Sequence, residues 1–293
     1  MTEPHAPTPF NPWIVGILNV TPDSFSDGGQ FIQEEAAIAH AHEMVKEGAH
    51  AIDVGGESSR PGAEPVGADV EWARIGNVVH RLAHRGVRVS VDTTKPEVAR
   101  QALEAGAWMI NDVDGMKDPE MLELVGIARC HVCIMHRKGD AQTMQLDPRY
   151  DNVVDEVREF LSQRAEAAEQ SGVPKERICL DPGLGFGKTM EHNLELIRRV
   201  GEIAALGYPV MVGASRKAFI GKILGDEDAP VPPQERTLGT VAAELASLQA
   251  GASILRVHDV KAHVHAQKVW AAIWRIHNER ANNEPLGTQP IYG

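Results

Sequence analysis

The chain has 293 residues, of which 43% are hydrophobic and 24% are charged, as is typical of a globular protein with a sizeable core. Asp and Glu outnumber Lys and Arg by 41 to 29, and the net charge of −12 argues against nucleic acid as the main partner, because that binding depends on cations facing phosphates. A small anionic substrate is not excluded, since a few local cations can dominate a cleft. No apolar run reaches the ~18 residues of a membrane span, so we expect no membrane partner.

The two ends of the chain differ in composition from its middle. The stretch 1–12 is rich in proline and lacks the basic and then apolar layout of a secretory signal. We therefore expect a flexible N-terminal tail over 1–12, one domain over 13–278 and a C-terminal tail over 279–293.

The cysteines give no sign of a metal or disulfide framework. Cys130 and Cys133 have metal-like spacing, but Cys179 stands alone and no second pair completes a zinc site. We interpret all three as plain buried thiols. An odd number of unpaired cysteines is typical of a reducing compartment, so we expect a cytoplasmic protein.

Eight short apolar runs each end in a polar or charged residue, with helix-like stretches between them. This alternation predicts a parallel sheet, and its length fits an α/β fold made of a single (β/α)8 TIM barrel domain. Such a barrel has its active site at the C-terminal ends of its strands, so folding would gather the end residues on one face. The runs are 14–18 ending at Asn19, 51–52 at Asp53, 87–91 at Asp92, 107–110 at Asn111, 131–135 at His136, 178–180 at Asp181, 210–212 leading into Ser215, and 253–255 at Arg256. The helical stretches are 33–47, 96–104, 153–170, 191–205, 234–249 and 260–278.

Two long connections follow the first two predicted strands. The stretches 20–30 and 57–68 are dense in Gly, Pro, Ser and Asp. Connections of this length without secondary structure are usually functional or disordered. A third stretch, 225–233, is acidic and proline-rich, and we interpret it as a spacer.

Five motifs occur in order at the predicted strand ends. They are GILNVTPDSFSDGG at 16–29, DVGGESSRPGA at 53–63, DPGLGFGK at 181–188, GASRK at 213–217 and LRVHD at 255–259. Together they strongly resemble the motifs of dihydropteroate synthases, and the resemblance covers residues 15–274. One such motif would be modest support, whereas five in the right order are highly specific.

The resemblance implies a transferase of folate biosynthesis. Enzymes of this family join (7,8-dihydropterin-6-yl)methyl diphosphate to 4-aminobenzoate and release 7,8-dihydropteroate and pyrophosphate. It also implies Mg²⁺ as cofactor, sulfonamides as inhibitors and a homodimer built through barrel helices. Because an arylamine is a weak nucleophile, we expect a dissociative, SN1-like route in which pyrophosphate leaves first, without a covalent enzyme intermediate.

Pterin recognition calls for a carboxylate. A pterin presents adjacent N–H donors, and charge-assisted bidentate bonds to a carboxylate are strong and planar. The resemblance implies that Asp181 holds the 2-amino edge, that Asp92 and Asn111 contact other ring nitrogens, and that Lys217 donates to the ring carbonyl. Taken alone, any one strand-end Asp could equally cap a helix or form a turn. The other expected pterin contacts are Met135, Phe186 and Gly213.

The second and third parts of the expected site bind the leaving group and the arylamine. A diphosphate needs cations and N–H donors, and the resemblance places Asn19 on the Mg²⁺ that bridges to the phosphates. The diphosphate set is Asn19, Arg60, Arg256 and His258; the aminobenzoate set is Phe25, Ser59, Pro61 and Ser215; the catalytic set is Asp92, Lys217 and Arg256.

Two other functions remain open at this point. A corrinoid-type pterin methyltransferase shares the barrel and the pterin-binding aspartates, but it would not need the phosphate cations. A catalytically silent pterin-binding paralogue should carry a broken motif, and we find none.

Several histidines and tryptophans lie outside the motifs. His136 has no assigned role. The pairs at 40 and 42 and at 263 and 265 cannot share a helix face for metal binding, so we expect these four histidines to be solvated. Trp270 and Trp274 are one helical turn apart and are candidates for the core or for the dimer interface.

Overall fold

The structure is a computed structural model that describes residues 6–21, 30–58, 62, 64–140 and 142–283, with the backbone alone at 30–32 and 275–283. The described residues contain eight strands, and every pairing between them is parallel. The strands are β1 (Trp13–Asn19), β2 (Ala51–Gly55), β3 (Val89–Asp92), β4 (Met109–Asp112), β5 (His131–Met135), β6 (Ile178–Asp181), β7 (Met211–Val212) and β8 (Ile254–Val257).

The strands follow one another around a closed barrel. The order in the sheet is β6-β5-β4-β3-β2-β1-β8-β7, so each strand lies beside its neighbour in sequence and β1 pairs with both β2 and β8. A parallel bridge between Leu180 and Val210 joins β6 to β7, with Leu180 N donating to Pro209 O at 2.9 Å. The predicted TIM barrel is confirmed.

Helices fill the connections and pack around the outside of the barrel. Several begin at caps that the sequence supplies: Asn152 accepts from the backbone N–H groups of Val154 and Asp155, and Asp118 accepts from Glu120. The helices are α1 (Gln30–Glu47), α2 (Ala68–His84), α3 (Pro96–Glu104), α4 (Pro119–Ala128), α5 (Val153–Ser171), α6 (Met190–Arg198), α7 (Val200–Ala204), α8 (Ala218–Leu224), α9 (Thr237–Ala250) and α10 (Val260–Asn283).

Two predicted helices differ from the observed ones. The single helix expected over 191–205 is two helices, α6 and α7, because the backbone leaves the helical region at Arg199, with φ −112° and ψ 17°. The helix expected from residue 234 begins at Thr237, since prolines precede it and residues Pro233–Glu235 form a 3-10 turn instead.

Two predicted strands are shifted along the chain. The run 107–110 forms β4 only from Met109, because Ala107 still donates its N–H to Ala102 at the end of α3. The run 253–255 extends as β8 to Val257, so Arg256 lies within the strand, paired in register with Val15 of β1. Its side chain therefore belongs to the barrel interior rather than to the loop beyond.

The barrel interior is apolar in its N-terminal half. Side chains alternate between the two faces of a strand, so every second residue faces the barrel interior. Of these inward-facing residues, the later ones along each strand lie nearer the C-terminal mouth. The apolar cluster consists of Trp13, Val15, Ala51, Met109, Cys133, Cys179, Met211 and Ile254. Cys133 and Cys179 are buried as predicted, whereas Cys130 is only half-buried, and all three are free thiols. A larger apolar core lies between the strands and the helices.

Residues 6–12 lie against the last helix. Thr8 and Asn11 form an antiparallel bridge, and the Phe10 ring is 6.4 Å from that of Trp274. Within the described part of the chain, no helix combines the length and the apolar character that crossing a membrane requires.

Candidate active site

Arg256 links two carboxylates at the mouth of the barrel. Its Nε donates to Asp53 Oδ2 at 2.6 Å, and its Nη2 donates to Asp92 Oδ2 at 2.8 Å. The two carboxylates come from the neighbouring strands β2 and β3, and Arg256 reaches them from β8 on the far side of β1. The strand register therefore fixes a cation and two anions at one point of the interior.

Asp53 is the centre of this network, although the sequence analysis assigned it no role beyond ending a strand. The side chain is 1% exposed and also accepts from Ser90 Oγ at 2.5 Å and from Asn111 Nδ2 at 3.1 Å. Asp53 thus orients both Asn111 and Arg256, two of the expected site residues. The signal that could have identified it is the one that marked Asp92: an acidic residue ending an inward-facing apolar run.

Burial and charge compete over the protonation of this cluster. Burial raises the pKa of Asp92 to about 7, against the opposing effect of the Arg256 cation, and the nearby Asp53 carboxylate adds to the rise. Burial works against the charge of Arg256, but Asp53 and Asp92 hold the pKa of that guanidinium above its ordinary value. Arg256 is therefore a fixed cation, whereas Asp92 titrates in the neutral range.

A second group of expected residues surrounds the loop after β6. Asp181 Oδ1 accepts the backbone N–H of Gly183 at 2.7 Å. Lys217 Nζ donates to the carbonyl oxygen of Leu184 and lies 4.5 Å from the centre of the Phe186 ring. The Lys217 ammonium group, from the residue before α8, thus lies against the Phe186 ring of the loop that starts at Asp181.

The charges of Asp181 and Lys217 influence each other. Burial raises the pKa of Asp181, and Lys217 is the main opposing influence. Burial lowers the pKa of Lys217 to about 8, and Asp181 again opposes the shift. Asp181 ends β6 and Lys217 follows β7, just as Asp92 ends β3 and Arg256 lies near the end of β8, so the two clusters share one mouth. The structure therefore brings together Asp92, Asn111, Asp181, Lys217 and Arg256, as the sequence predicted.

Three further expected residues, Met135, Gly213 and Asn19, lie close to these groups. Met135 is buried and paired in register with Asp181. A Cβ added to Gly213 would lie 3.8 Å from Cβ of Arg256, so this glycine leaves room beside the stem of the arginine. A Cβ added to Gly55 would lie 3.6 Å from both Asn19 Oδ1 and Asp92 Cβ, so both side chains border Gly55 at the end of β2.

Ser215 and His258 form a pair at the ends of β7 and β8. The His258 backbone N–H donates to Ser215 Oγ at 3.1 Å, and Ser215 Oγ is 3.0 Å from His258 Nδ1. If the hydroxyl donates to Nδ1, a neutral His258 carries its proton on Nε2. Ser215, which we expect to bind the aminobenzoate, is therefore in direct contact with His258, which we expect to bind the diphosphate.

The remaining expected site residues are Phe25, Ser59, Arg60 and Pro61, and they lie outside the described residues. The base of their second connection is described. Glu57 accepts the backbone N–H of Val66 at 3.2 Å and an N–H of Lys95, and Lys95 also donates to the buried Glu71 at 2.5 Å. These contacts join both ends of the connection to α2 and to the loop after β3.

The prediction that four histidines are solvated is wrong for His263. This ring is 2% exposed, and its Nε2 lies 3.2 Å from Glu244 Oε2. The cause is the packing of α10 on α9, which turns position 263 inward and position 265 outward. His40 and His265 are exposed, and the half-buried His42 lies 3.0 Å from Arg85.

Comparison with known proteins agrees with this site. The family profile described as pterin binding enzyme matches residues 15–258. A dihydropteroate synthase of Synechocystis is 46% identical over 265 residues, which are 90% of each chain.

Solved structures give the same result at the level of the fold. A Xanthomonas albilineans dihydropteroate synthase with 4-aminobenzoic acid is 47% identical, with a TM-score of 0.83 over 90% of this chain and 93% of that one. A Yersinia pestis dihydropteroate synthase in complex with a sulfonamide drug is 41% identical, with a TM-score of 0.84 over 90% of this chain and 94% of that one. The chain therefore belongs to the dihydropteroate synthases, a family of pterin-binding transferases.

Proposed function

We propose that this protein condenses (7,8-dihydropterin-6-yl)methyl diphosphate with 4-aminobenzoate to give 7,8-dihydropteroate and pyrophosphate, a step of folate biosynthesis. One observation carries the proposal: the Asp53–Arg256–Asp92 network and the Asp181–Lys217 pair share one barrel mouth. The first supplies charge for a leaving anion and a developing cation, and the second supplies an acceptor and a donor for a flat heterocycle.

The pterin would bind between the two clusters. Asp181, oriented by the Gly183 N–H, accepts from the 2-amino group and the neighbouring ring N–H, because a carboxylate matches two parallel donors. Lys217 donates to the ring carbonyl, while Asp92 and Asn111 contact other ring nitrogens. Phe186 and Met135 provide apolar contact, and Gly213 leaves room for the ring.

The reaction replaces one bond to the pterin methylene carbon with another. The carbon–oxygen bond breaks and pyrophosphate leaves with the electron pair. The cation left on the conjugated carbon is stabilised by the pterin ring and by the Asp92 carboxylate. The arylamine nitrogen then forms the new carbon–nitrogen bond and loses a proton. Arg256 and His258, with Arg60, bind the pyrophosphate oxygens, and their effect on rate comes from holding the separated charges more tightly than the ground state.

Mg²⁺ is the cofactor that we propose. Mg²⁺ takes few protein ligands, prefers oxygen atoms and keeps several waters. Asn19 offers a hard amide oxygen at the end of β1, bordering Gly55, so Asn19 would hold the ion together with substrate oxygens. When bound, Mg²⁺ supplies positive charge to the diphosphate.

The aminobenzoate would bind at the Ser215–His258 pair, and residues of the two long connections would complete its pocket. Ser215 would offer its hydroxyl to the carboxylate, as would Ser59, and Phe25 and Pro61 would contact the ring. Since the connections carry these residues, we propose that the pterin diphosphate binds first and that aminobenzoate follows. Equal affinity for aminobenzoate with and without pterin and pyrophosphate would reject this order. Sulfonamides would inhibit by occupying the same place.

We also propose a homodimer in the cytoplasm. On α10, Val269 is 62% exposed and Ile273 is 60% exposed one turn later, next to the Trp270 and Trp274 rings, which lie 5.3 Å apart and tilted by 54°. An apolar stripe on a barrel helix suits an isologous contact between two copies. Sedimentation of the wild type should give a dimer, and Val269→Glu should give a monomer. The free thiols are typical of a reducing compartment.

The decisive assay is pyrophosphate release from the dihydropterin diphosphate. We expect release to require both 4-aminobenzoate and Mg²⁺, with dihydropteroate formed in equal amount. A protein that binds the pterin substrate but releases no pyrophosphate would be a silent paralogue, and that result would refute the proposal.

A further inference from the structure

Lys188, the last residue of the DPGLGFGK motif, is a buried amine outside the groups discussed so far. Its side chain is 3% exposed. Nζ lies 3.0 Å from Nδ1 of His136, and it donates to the carbonyl oxygen of Phe186 at 3.0 Å and to that of His136 at 3.4 Å. Burying a charged amine costs free energy unless hydrogen bonds compensate for the lost water. These three acceptors provide that compensation.

The protonation state of Lys188 determines the direction of its contact with His136. In the charged form the ammonium group has no acceptor, so Nδ1 of His136 accepts and the neutral ring carries its proton on Nε2. Burial, reinforced by the Lys188 charge, lowers the pKa of His136 to about 2. Burial, reinforced by the Lys217 charge, holds the pKa of Lys188 well below its ordinary value. The His136 ring is thus neutral and lies in hydrogen-bond contact with Lys188 Nζ at the end of β5.

The three acceptors belong to two different segments. His136 follows β5, whereas Phe186 lies on the loop 181–188 after β6. The two backbones touch directly, since a Cβ at Gly183 would collide with the His136 carbonyl oxygen, and Gly183 has a φ of +66°. Lys188 therefore fastens the β6 loop to the end of β5.

The fastened loop carries the groups that face Lys217. The carbonyl oxygen of Leu184 accepts from Lys217 Nζ, and the Phe186 ring is 4.5 Å from the same atom. The Phe186 residue that offers its ring to one lysine thus offers its carbonyl to the other. A loss of the Lys188 contacts would free the Phe186 backbone and, with it, the wall that Phe186 forms.

We propose that Lys188 is a positioning residue for the pterin half of the site, acting through the His136 acceptor and the Phe186 carbonyl. The proposal rests on the function proposed above. Lys188 itself does not touch the substrate. Its removal should therefore weaken the binding of the pterin and leave that of the aminobenzoate unchanged.

The chain offers a matched control on the same loop. Tyr150 donates its hydroxyl to the carbonyl oxygen of Gly187 at 2.8 Å, without contacting Phe186 through this bond. Tyr150→Phe removes one hydrogen bond to the loop and should cost about 1 kcal/mol of stability. It should leave both Michaelis constants unchanged, which separates a general loss of stability from a loss of positioning.

The test measures the Michaelis constants of both substrates and the dissociation constant of 6-hydroxymethyl-7,8-dihydropterin. We expect Lys188→Met to raise the pterin constants about tenfold and to change the aminobenzoate constant less than about twofold. His136→Leu, which keeps the lysine but removes its acceptor, should act in the same direction. His136→Gln, which retains an acceptor, should stay within about threefold of the wild type.

Three results would overturn the inference. The first is a Lys188→Met enzyme whose pterin constants match those of the wild type. The second is a His136→Gln enzyme that is as impaired as the His136→Leu enzyme. Comparing these two variants tests the inference even if Lys188→Met does not fold. The third is a wild type that binds no pterin, which would refute the proposed function as well. A wild type that binds pterin without releasing pyrophosphate would refute that function alone, because the dissociation constants would still test Lys188.

Discussion

Asp53 and Arg256 are 203 residues apart in the chain, yet Nε of the arginine lies 2.6 Å from Oδ2 of the aspartate. The barrel makes this contact possible because β1 pairs with β2 on one side and with β8 on the other. Closure of the barrel therefore builds the charged centre of the site, and the first and last strands must be in register for it to form.

The contact predicts a strong effect of Asp53→Asn. The substitution keeps the size of the side chain but removes one of the two carboxylates that pair with the buried guanidinium. We expect kcat/KM for the pterin diphosphate to fall at least about 100-fold, since Arg256 loses its orientation. The free energy of unfolding should fall by up to about 3 kcal/mol, because breaking a buried ion pair leaves a charge uncompensated.

The control for Asp53 is Ser90→Ala. It removes one neutral hydrogen bond to the same carboxylate and should cost about 1 kcal/mol of stability with little change in kcat/KM. Steady-state kinetics and urea unfolding of both variants check the prediction. Equal kinetic losses in the two variants would show that Asp53 acts only as packing.

The pH profile of kcat/KM should rise through neutrality. Burial raises the pKa of Asp92 to about 7, so the carboxylate that pairs with Arg256 is protonated below that pH and ionised above it. Burial lowers the pKa of Lys217 to about 8, so its ammonium group is lost above that pH. Because kcat/KM reports the free enzyme, we expect a maximum between the two values.

The rise through pH 7 should depend on Asp92. In Asp92→Asn the activity will be low throughout, and the rise through pH 7 should disappear from what remains. A wild-type profile that is flat between about pH 5.5 and 7.5 would contradict the assignment.

Ser215→Ala should separate the two substrates. The Ser215 hydroxyl contacts both the backbone N–H and Nδ1 of His258, and it is the described member of the proposed aminobenzoate set. We expect the Michaelis constant of 4-aminobenzoate to rise about tenfold and the pterin dissociation constant to change less than about twofold. A parallel loss for both substrates would remove Ser215 from the aminobenzoate pocket.

The sequence was sufficient to predict the barrel and the strand-end residues that lie at its mouth. Strand-end residues such as Asp92, Asn111 and Asp181 could be identified because parallel strands deliver their C-terminal ends to one face. The same pattern included Asp53, but its importance comes from a contact with Arg256 that no local pattern contains.

Other features depended on packing that the sequence does not encode locally. His263 looks like a surface residue by spacing, and only the contact of α10 with Glu244 of α9 makes it a buried one. Lys188 lies in a recognisable motif, but its burial depends on how the β6 loop packs against the end of β5. The break between α6 and α7 likewise depends on the non-helical backbone conformation of Arg199, which no local sequence pattern indicates.

The most direct measurement of the central claim is calorimetric titration of (7,8-dihydropterin-6-yl)methyl diphosphate into the wild type and into Asp181→Asn, with Mg²⁺ present. The account predicts saturable one-site binding to the wild type and an affinity at least about 100-fold weaker in the variant, because the amide cannot accept both pterin donors. Equal affinities for the two proteins would contradict it, since the ring would then bind elsewhere than against Asp181.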